Sequence, residues 1–207
     1  MRPKWLQEVM INSQITKHTR PDLVIAYKKI VLIGIQGSGK STQGNLLSKK
    51  IGSPYLSTGH MVRDVAKDKS RFGRYIKETI NAGLLIADDI MIKLVTDYLK
   101  KKEYKNGYIL DGFPRTVDQA KEFEGCVDKV IYLKIPDKEA LWRLSYRDGE
   151  GIRDDETLGG VRKRIELFHK FTEPVLDYYR QKGLLVELNG QKSVKVIQKE
   201  ILSLLSP

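Results

Sequence analysis

Short apolar runs recur along the chain, each closed by glycine or by polar residues. The first, Ile30-Val31-Leu32-Ile33, is rich in β-branched residues and stops at Gly34. A short, continuously apolar run of this kind predicts a strand buried on both faces of a parallel sheet. Tyr55-Leu56, Tyr108-Ile109-Leu110-Asp111, Val130-Ile131-Tyr132-Leu133 and Leu184-Leu185-Val186-Glu187-Leu188 supply four further strands. Helical stretches separate them, over residues 40–50, 88–102 and 137–147. Strand and helix in alternation predict an α/β fold, with a five-stranded parallel sheet flanked by helices. The segments after Leu56 and around Arg147 are polar and charge-rich, as insertions outside the core would be.

Residues 1–29 stand apart from this pattern. They hold six basic residues (Arg2, Lys4, Lys17, Arg20, Lys28, Lys29) against Glu8 and Asp22. Trp5, Leu6, Val9 and Met10 could form one face of a short helix. The segment reads as an N-terminal extension, leaving residues 30–207 as the single folded domain. No internal repeat or low-complexity stretch is present.

Composition narrows the function classes. With 207 residues, 41% apolar and 30% charged, the chain has the make-up of an ordinary globular protein. One cysteine, Cys126, excludes an intrachain disulfide and a zinc site built on cysteine pairs. No apolar run approaches the roughly 18 residues that span a membrane, and the N-terminus lacks the apolar core of a secretory signal. A cytoplasmic monomer without a membrane partner is expected. The net charge is +11, yet no block of five or six basic residues occurs, so nucleic acid is not expected as a partner.

Gly34-Ile35-Gln36-Gly37-Ser38-Gly39-Lys40-Ser41 fits the pattern G-x-x-x-x-G-K-[ST], after a strand and at the start of a helix. Glycines let the backbone curl so that successive N–H groups face phosphate oxygens, and the helix N-terminus adds a favourable dipole. Lys40 can then reach the terminal phosphates, while Ser41 or Thr42 approaches Mg²⁺. A second motif, Asp111-Gly112-Phe113-Pro114-Arg115, sits at a strand end, at the sheet edge where ligands bind. Asp111 suits the waters of Mg²⁺, and Arg115 offers a planar, charged fork to a phosphate.

Over residues 30–207 the sequence resembles the adenylate kinase family. The resemblance rests on the phosphate loop running into Thr42-Gln43, on Ser57-Thr58-Gly59-His60-Met61-Val62-Arg63, and on Asp111 to Thr116. It extends to Arg162-Lys163-Arg164 and to the segment from Thr172 to Tyr179. It implies a P-loop kinase fold, with a monophosphate-binding insertion at 57–86 and a short lid at 147–164. It also implies Mg²⁺ as cofactor, ATP, AMP and ADP as ligands, and a reversible transfer from ATP to AMP.

Residue by residue, the resemblance assigns the ATP phosphates to Gly37, Ser38, Gly39, Lys40, Ser41 and Thr42, with Arg143 and Arg147. Lys192, within the stretch from Gly190, would pass close to the ATP adenine. Thr58, Arg63, Gly112, Phe113, Pro114 and Arg115 would hold the monophosphate. Leu84, Leu85 and Ile86 would wall its base, which Gln119 would hydrogen-bond. Arg153 and Arg164 would clamp the transferring group, joining Lys40, Arg115 and Arg147 as catalytic residues. Ser41 and Asp111 would hold Mg²⁺, partly through water.

Some positions depart from the family pattern. His60 stands where the family usually carries Asp, and Ser41 where it usually carries Gly. Asp154 and Asp155 lie one position nearer Arg153 than in the short-lid pattern, and Gly159-Gly160 replaces an acidic pair. A UMP/CMP kinase with the same machinery is the nearest rival, but Thr58 and Gln119 favour adenine. The other rival is a nucleotide-binding homologue that has lost catalysis.

Overall fold

The computed structural model of the chain describes residues 26–145 and 158–206. Its centre is a parallel sheet of five strands: β1 (Lys29–Ile33), β2 (Tyr55–Ser57), β3 (Tyr108–Asp111), β4 (Lys129–Lys134) and β5 (Leu185–Asn189). They lie in the order β2-β3-β1-β4-β5. Every expected strand is present, the last shifted by one residue.

Side-chain alternation along the strands builds two cores. Ile30, Leu32, Ile109, Ile131 and Leu133 face one side, covered by Leu47 of the helix Lys40–Ile51 and by Ile197, Ile201 and Leu205 of the helix Val194–Leu205. Val31, Ile33, Leu110, Val130 and Tyr132 face the other. There they meet Met91 and Val95 of the helix Asp88–Leu99 and Val175, Leu176 and Tyr179 of the helix Glu173–Gln181. The helices Thr58–Ala66 and Arg71–Asn81 form the polar insertion after β2 and bury Met61, Val62 and Ile76 against this second core.

Two boundaries differ from the sequence pattern, and one helix carries an irregular turn. The helix expected over 88–102 ends at Leu99 and gives way to a 3₁₀ turn, Lys102–Tyr104. The turn brings Tyr104 against the core, which the run Lys100-Lys101-Lys102 does not announce. The helix Leu158–Leu167 passes through a π-helical turn, Phe168–Thr172, before Glu173–Gln181. Pro174 has no N–H to return to the Lys170 carbonyl, and its ring crowds that oxygen, so the turn widens. Finally, the segment read as extension enters the fold at its end. Ala26 N donates to Leu205 O at 3.0 Å, and Lys28 N and Lys29 N donate to Asp128 Oδ2 at 2.8 and 2.9 Å. The rest of the extension, residues 1–25, lies outside the described residues, as does most of the segment 147–164.

Candidate active site

The loops leaving the C-terminal ends of the strands converge on one cleft of about 540 Å³, a size that holds nucleotide-scale ligands. β1 enters it through the glycine loop. Gly37 and Gly39 adopt φ of 87° and 92°, left-handed values that other residues reach only at a cost. The loop therefore curls and delivers the chain into the helix Lys40–Ile51 with its first turn lining the cleft. Lys40 Nζ donates to Gly34 O at 2.7 Å and Ile35 O at 2.9 Å, so the ammonium is held at the loop rim. Ser41 and Thr42 line the cleft from the same turn.

β3 ends at Asp111, which pairs in register with Leu32 of β1 and Ser57 of β2 and is 7% exposed. Tyr55 Oη donates to its Oδ2 at 2.7 Å. The next residue, Gly112, turns left-handed (φ 84°), and a side chain there would start 2.6 Å from Thr58 Oγ1. Thr58 itself is 1% exposed and donates to Asp111 O at 3.1 Å. Arg115 folds back, its Nε donating to Gly112 O at 2.7 Å, and Thr172 Oγ1 holds the Arg115 carbonyl at 3.0 Å.

Arg115 sits in an unfavourable place for a cation. Burial lowers its pKa from the usual guanidinium value; Asp111 raises it, and the neighbouring charges of Arg164 and Arg63 lower it again. Arg164 comes from the helix Leu158–Leu167, donating from Nη1 to Gln36 Oε1 at 3.2 Å and from Nη2 to Ile80 O at 2.9 Å. It thus links the phosphate loop to the helix Arg71–Asn81. Arg143 is oriented by Glu139, Nε to Oε1 at 2.7 Å, and reaches Gly37 O at 3.5 Å. Four guanidinium groups, Arg63, Arg115, Arg143 and Arg164, line one cleft. Such a concentration of like charge suits a polyanionic ligand.

Most of the residues singled out in the sequence do line the cleft: Gly37 to Thr42, Arg63, Leu84, Leu85, Gly112 to Arg115, Arg143, Arg164 and Lys192. Lys192 is tied to Glu200, Nζ to Oε1 at 2.5 Å. His60 joins them from an exposed position. Thr58, Ile86 and Gln119 are not among the lining residues. Ile86 is 7% exposed within the core. Gln119 is 2% exposed; its Oε1 accepts from Arg115 N at 2.7 Å and its Nε2 donates to Asp88 Oδ1 at 2.8 Å. An amide between a donor-only and an acceptor-only group has one orientation, and here it braces the Arg115 loop. Arg147, Arg153, Asp154 and Asp155 lie outside the described residues.

Several contributors have no motif of their own. Gln36, Ile80 and Tyr55 act through partners far along the chain. Thr172 lies in a segment that the family resemblance flags, which is a usable signal. His169 gives none, yet its Nδ1 lies 2.8 Å from Glu173 Oε1 and its Nε2 3.0 Å from Asp137 Oδ1. It links the helix Asp137–Ser145, which carries Arg143, to the helix Glu173–Gln181. Burial disfavours the imidazolium, but hydrogen bonds to Glu173 and Asp137 and the charges of both outweigh it, so its pKa is raised.

As a metal site the cleft offers hard oxygen donors, the Asp111 carboxylate and the Ser41 hydroxyl. No cluster of three or more His, Cys, Asp or Glu that could hold a metal occurs among the described residues. A sparse set of oxygen donors fits Mg²⁺, which keeps its waters and is bound mainly with substrate phosphates.

The sequence is similar to known proteins over most of its length. The family model "Adenylate kinase" matches residues 32–184. An adenylate kinase of Caldicellulosiruptor bescii is 36% identical over 211 aligned positions, covering 86% of this chain and 98% of the relative. Those of Acetivibrio thermocellus and Archaeoglobus fulgidus are 35% and 33% identical, covering 86% and 85% of this chain and 98% and 97% of the relatives.

Proposed function

The chain belongs to the adenylate kinase family and is a phosphotransferase, and from that premise we propose that it interconverts ATP and AMP with two ADP. In that reaction an oxygen of the AMP phosphate attacks the γ-phosphorus of ATP, the new P–O bond forms in line, and the bond to the β-phosphate oxygen breaks. A phosphate nucleophile needs no general base, so the work is positioning and charge stabilisation. The phosphate loop from Gly37 to Thr42, with Arg143, takes the ATP phosphates. Thr58, Arg63 and Arg115 take the AMP phosphate, and Leu84 and Leu85 flank its base. Lys40 and Arg164 act on the transferring group, with Arg147 and Arg153 from the segment between them. Lys192 lies toward the ATP adenine.

Asp111 and Ser41 are the residues to hold Mg²⁺, which offsets the charge of the ATP phosphates when bound. The insertion 57–86 is the monophosphate-binding unit and 147–164 the lid. Gln119 reads the base in this proposal, besides bracing Arg115. The cytoplasm is the proposed location; the unpaired thiol of Cys126 suits a reducing compartment.

The observation that carries the reading is the Arg63–Arg115–Arg164 group. Burial lowers the Arg115 pKa, Asp111 raises it, and the charges of Arg164 and Arg63 lower it again, so three guanidinium groups share a cleft with a single described carboxylate in its lining. Protein stability is not served by such an arrangement, whereas a phosphate is. A coupled assay with ATP and AMP tests it: ADP should form, and AMP should be used faster than CMP or UMP. A faster rate with CMP or UMP would assign the chain to those monophosphates instead. No turnover with any of the three would refute catalysis.

A further inference from the structure

We infer that Tyr55 is a positioning residue for the metal side of the reaction, holding the Asp111 carboxylate in the orientation that meets the nucleotide-bound cation. The inference rests on the reading of Asp111 as a residue that serves Mg²⁺. Tyr55 opens β2 and pairs with Ile109 of β3, two residues before the pair Ser57–Asp111. Residues two apart on a strand share a face, so the Tyr55 ring runs along the sheet toward its C-terminal edge. Its hydroxyl reaches Asp111 Oδ2 at 2.7 Å, 56 residues away in sequence. That leaves Oδ1 as the oxygen no other described residue hydrogen-bonds. A carboxylate on a single bond from Cβ would otherwise be set only by general packing; a donor on one oxygen fixes its plane.

The helix facing the ring is adapted to it. A Cβ on Gly44 would fall 2.4 Å from Tyr55 Cε2 and 2.7 Å from Cδ2. Gly44 lies inside the helix Lys40–Ile51, whose first turn carries Lys40 and Ser41. Glycine within a helix is unfavourable relative to alanine, so its presence here is accounted for by the ring it admits. Tyr55 therefore touches both halves of the proposed metal site: the helix bearing Ser41 through Gly44, and Asp111 through its hydroxyl.

Groups that orient a metal-side ligand typically change metal affinity by about 10- to 100-fold when removed. Tyr55→Phe deletes only the hydroxyl and keeps the ring. Calorimetric titration with ATP, with and without Mg²⁺, should show the Mg²⁺-dependent gain in affinity reduced about tenfold, while the affinity for metal-free ATP stays unchanged. Gly44→Ala keeps the hydroxyl but pushes the ring aside, and should reproduce the loss. An unchanged Mg²⁺ gain in Tyr55→Phe, with or without a drop in Tm, would reduce Tyr55 to packing and overturn the inference. A wild-type protein that binds ATP equally with and without Mg²⁺ would instead remove Asp111's metal role, and the inference with it.

Discussion

Replacing Arg115 with methionine separates what this residue does for the ligand from what it does for the fold. In the ligand-free protein the change removes a partly buried cation that burial, Arg164 and Arg63 disfavour and Asp111 favours. It also removes the Nε bond to Gly112 O at 2.7 Å, a loss of about 1 kcal/mol. The two effects oppose, so Tm in buffer should change little. With AMP the outcome differs. AMP at about 100 times its dissociation constant stabilises the wild type by about 2.7 kcal/mol. At roughly 2–4 °C per kcal/mol for a domain of this size, that raises Tm by about 5–11 °C.

Losing two charge-assisted hydrogen bonds of about 1.5 kcal/mol each weakens binding by about 3 kcal/mol, or more than a hundredfold. The same AMP concentration then lies near or below the variant's dissociation constant, leaving about 0.3 kcal/mol of stabilisation and a shift of about 1 °C or less. Differential scanning fluorimetry with and without AMP reads both quantities. An AMP-induced shift in Arg115→Met equal to that of the wild type would refute the placement of the AMP phosphate at Arg115.

The other predictions probe separate parts of the cleft. Lys40→Met should lower kcat by at least roughly a hundredfold with circular dichroism unchanged; near-wild-type turnover would remove Lys40 from the transferring group. Gln119→Asn is too short to span Arg115 N and Asp88 Oδ1, so it should lower Tm and narrow the preference for AMP over CMP and UMP in the coupled assay. Unchanged selectivity would leave Gln119 as a brace alone. His169 has a raised folded-state pKa, so its link to Asp137 and Glu173 contributes fully below the unfolded value of about 6.5 and is lost as pH rises through the folded value. The Tm advantage of the wild type over His169→Gln should thus be largest near pH 5.5 and fade by pH 8.5; an advantage growing with pH would reverse the assignment.

The parts of this architecture that the sequence announces are those written in short, local patterns. Ile30 to Ile33 followed by the glycine loop identifies β1, the turn after it and the helix it feeds, because strand burial and positive-φ glycines both leave marks within ten residues. Asp111 to Arg115 is legible for the same reason. What stays hidden depends on partners brought near only by folding. Tyr55 reads as a strand residue, and nothing local ties it to Asp111 or to Gly44. The family resemblance marks Gln119 as a base-reading residue, but its engagement by Asp88 needs the helix Asp88–Leu99 packed beside the Arg115 loop. His169 is silent because an imidazole between two carboxylates on separate helices has no spacing rule. The π turn at Phe168–Thr172 is not announced, because it arises from Pro174 meeting the carbonyl four residues before it.

The strand order also bears on how the chain emerges from a ribosome. β1 is made first, but both its neighbours, β3 and β4, come much later. Leu47 covers part of the apolar face formed by Ile30, Leu32, Ile109, Ile131 and Leu133, and the rest is closed by Ile197, Ile201 and Leu205. A nascent chain stalled before Val194 would therefore carry the phosphate loop on a half-covered hydrophobic sheet, the type of surface that aggregates or engages chaperones. Translation through the helix Val194–Leu205 is the step that releases a self-sufficient domain. Stalling before it should yield chains that are protease-sensitive and bind no nucleotide, although every phosphate-loop residue has already been synthesised.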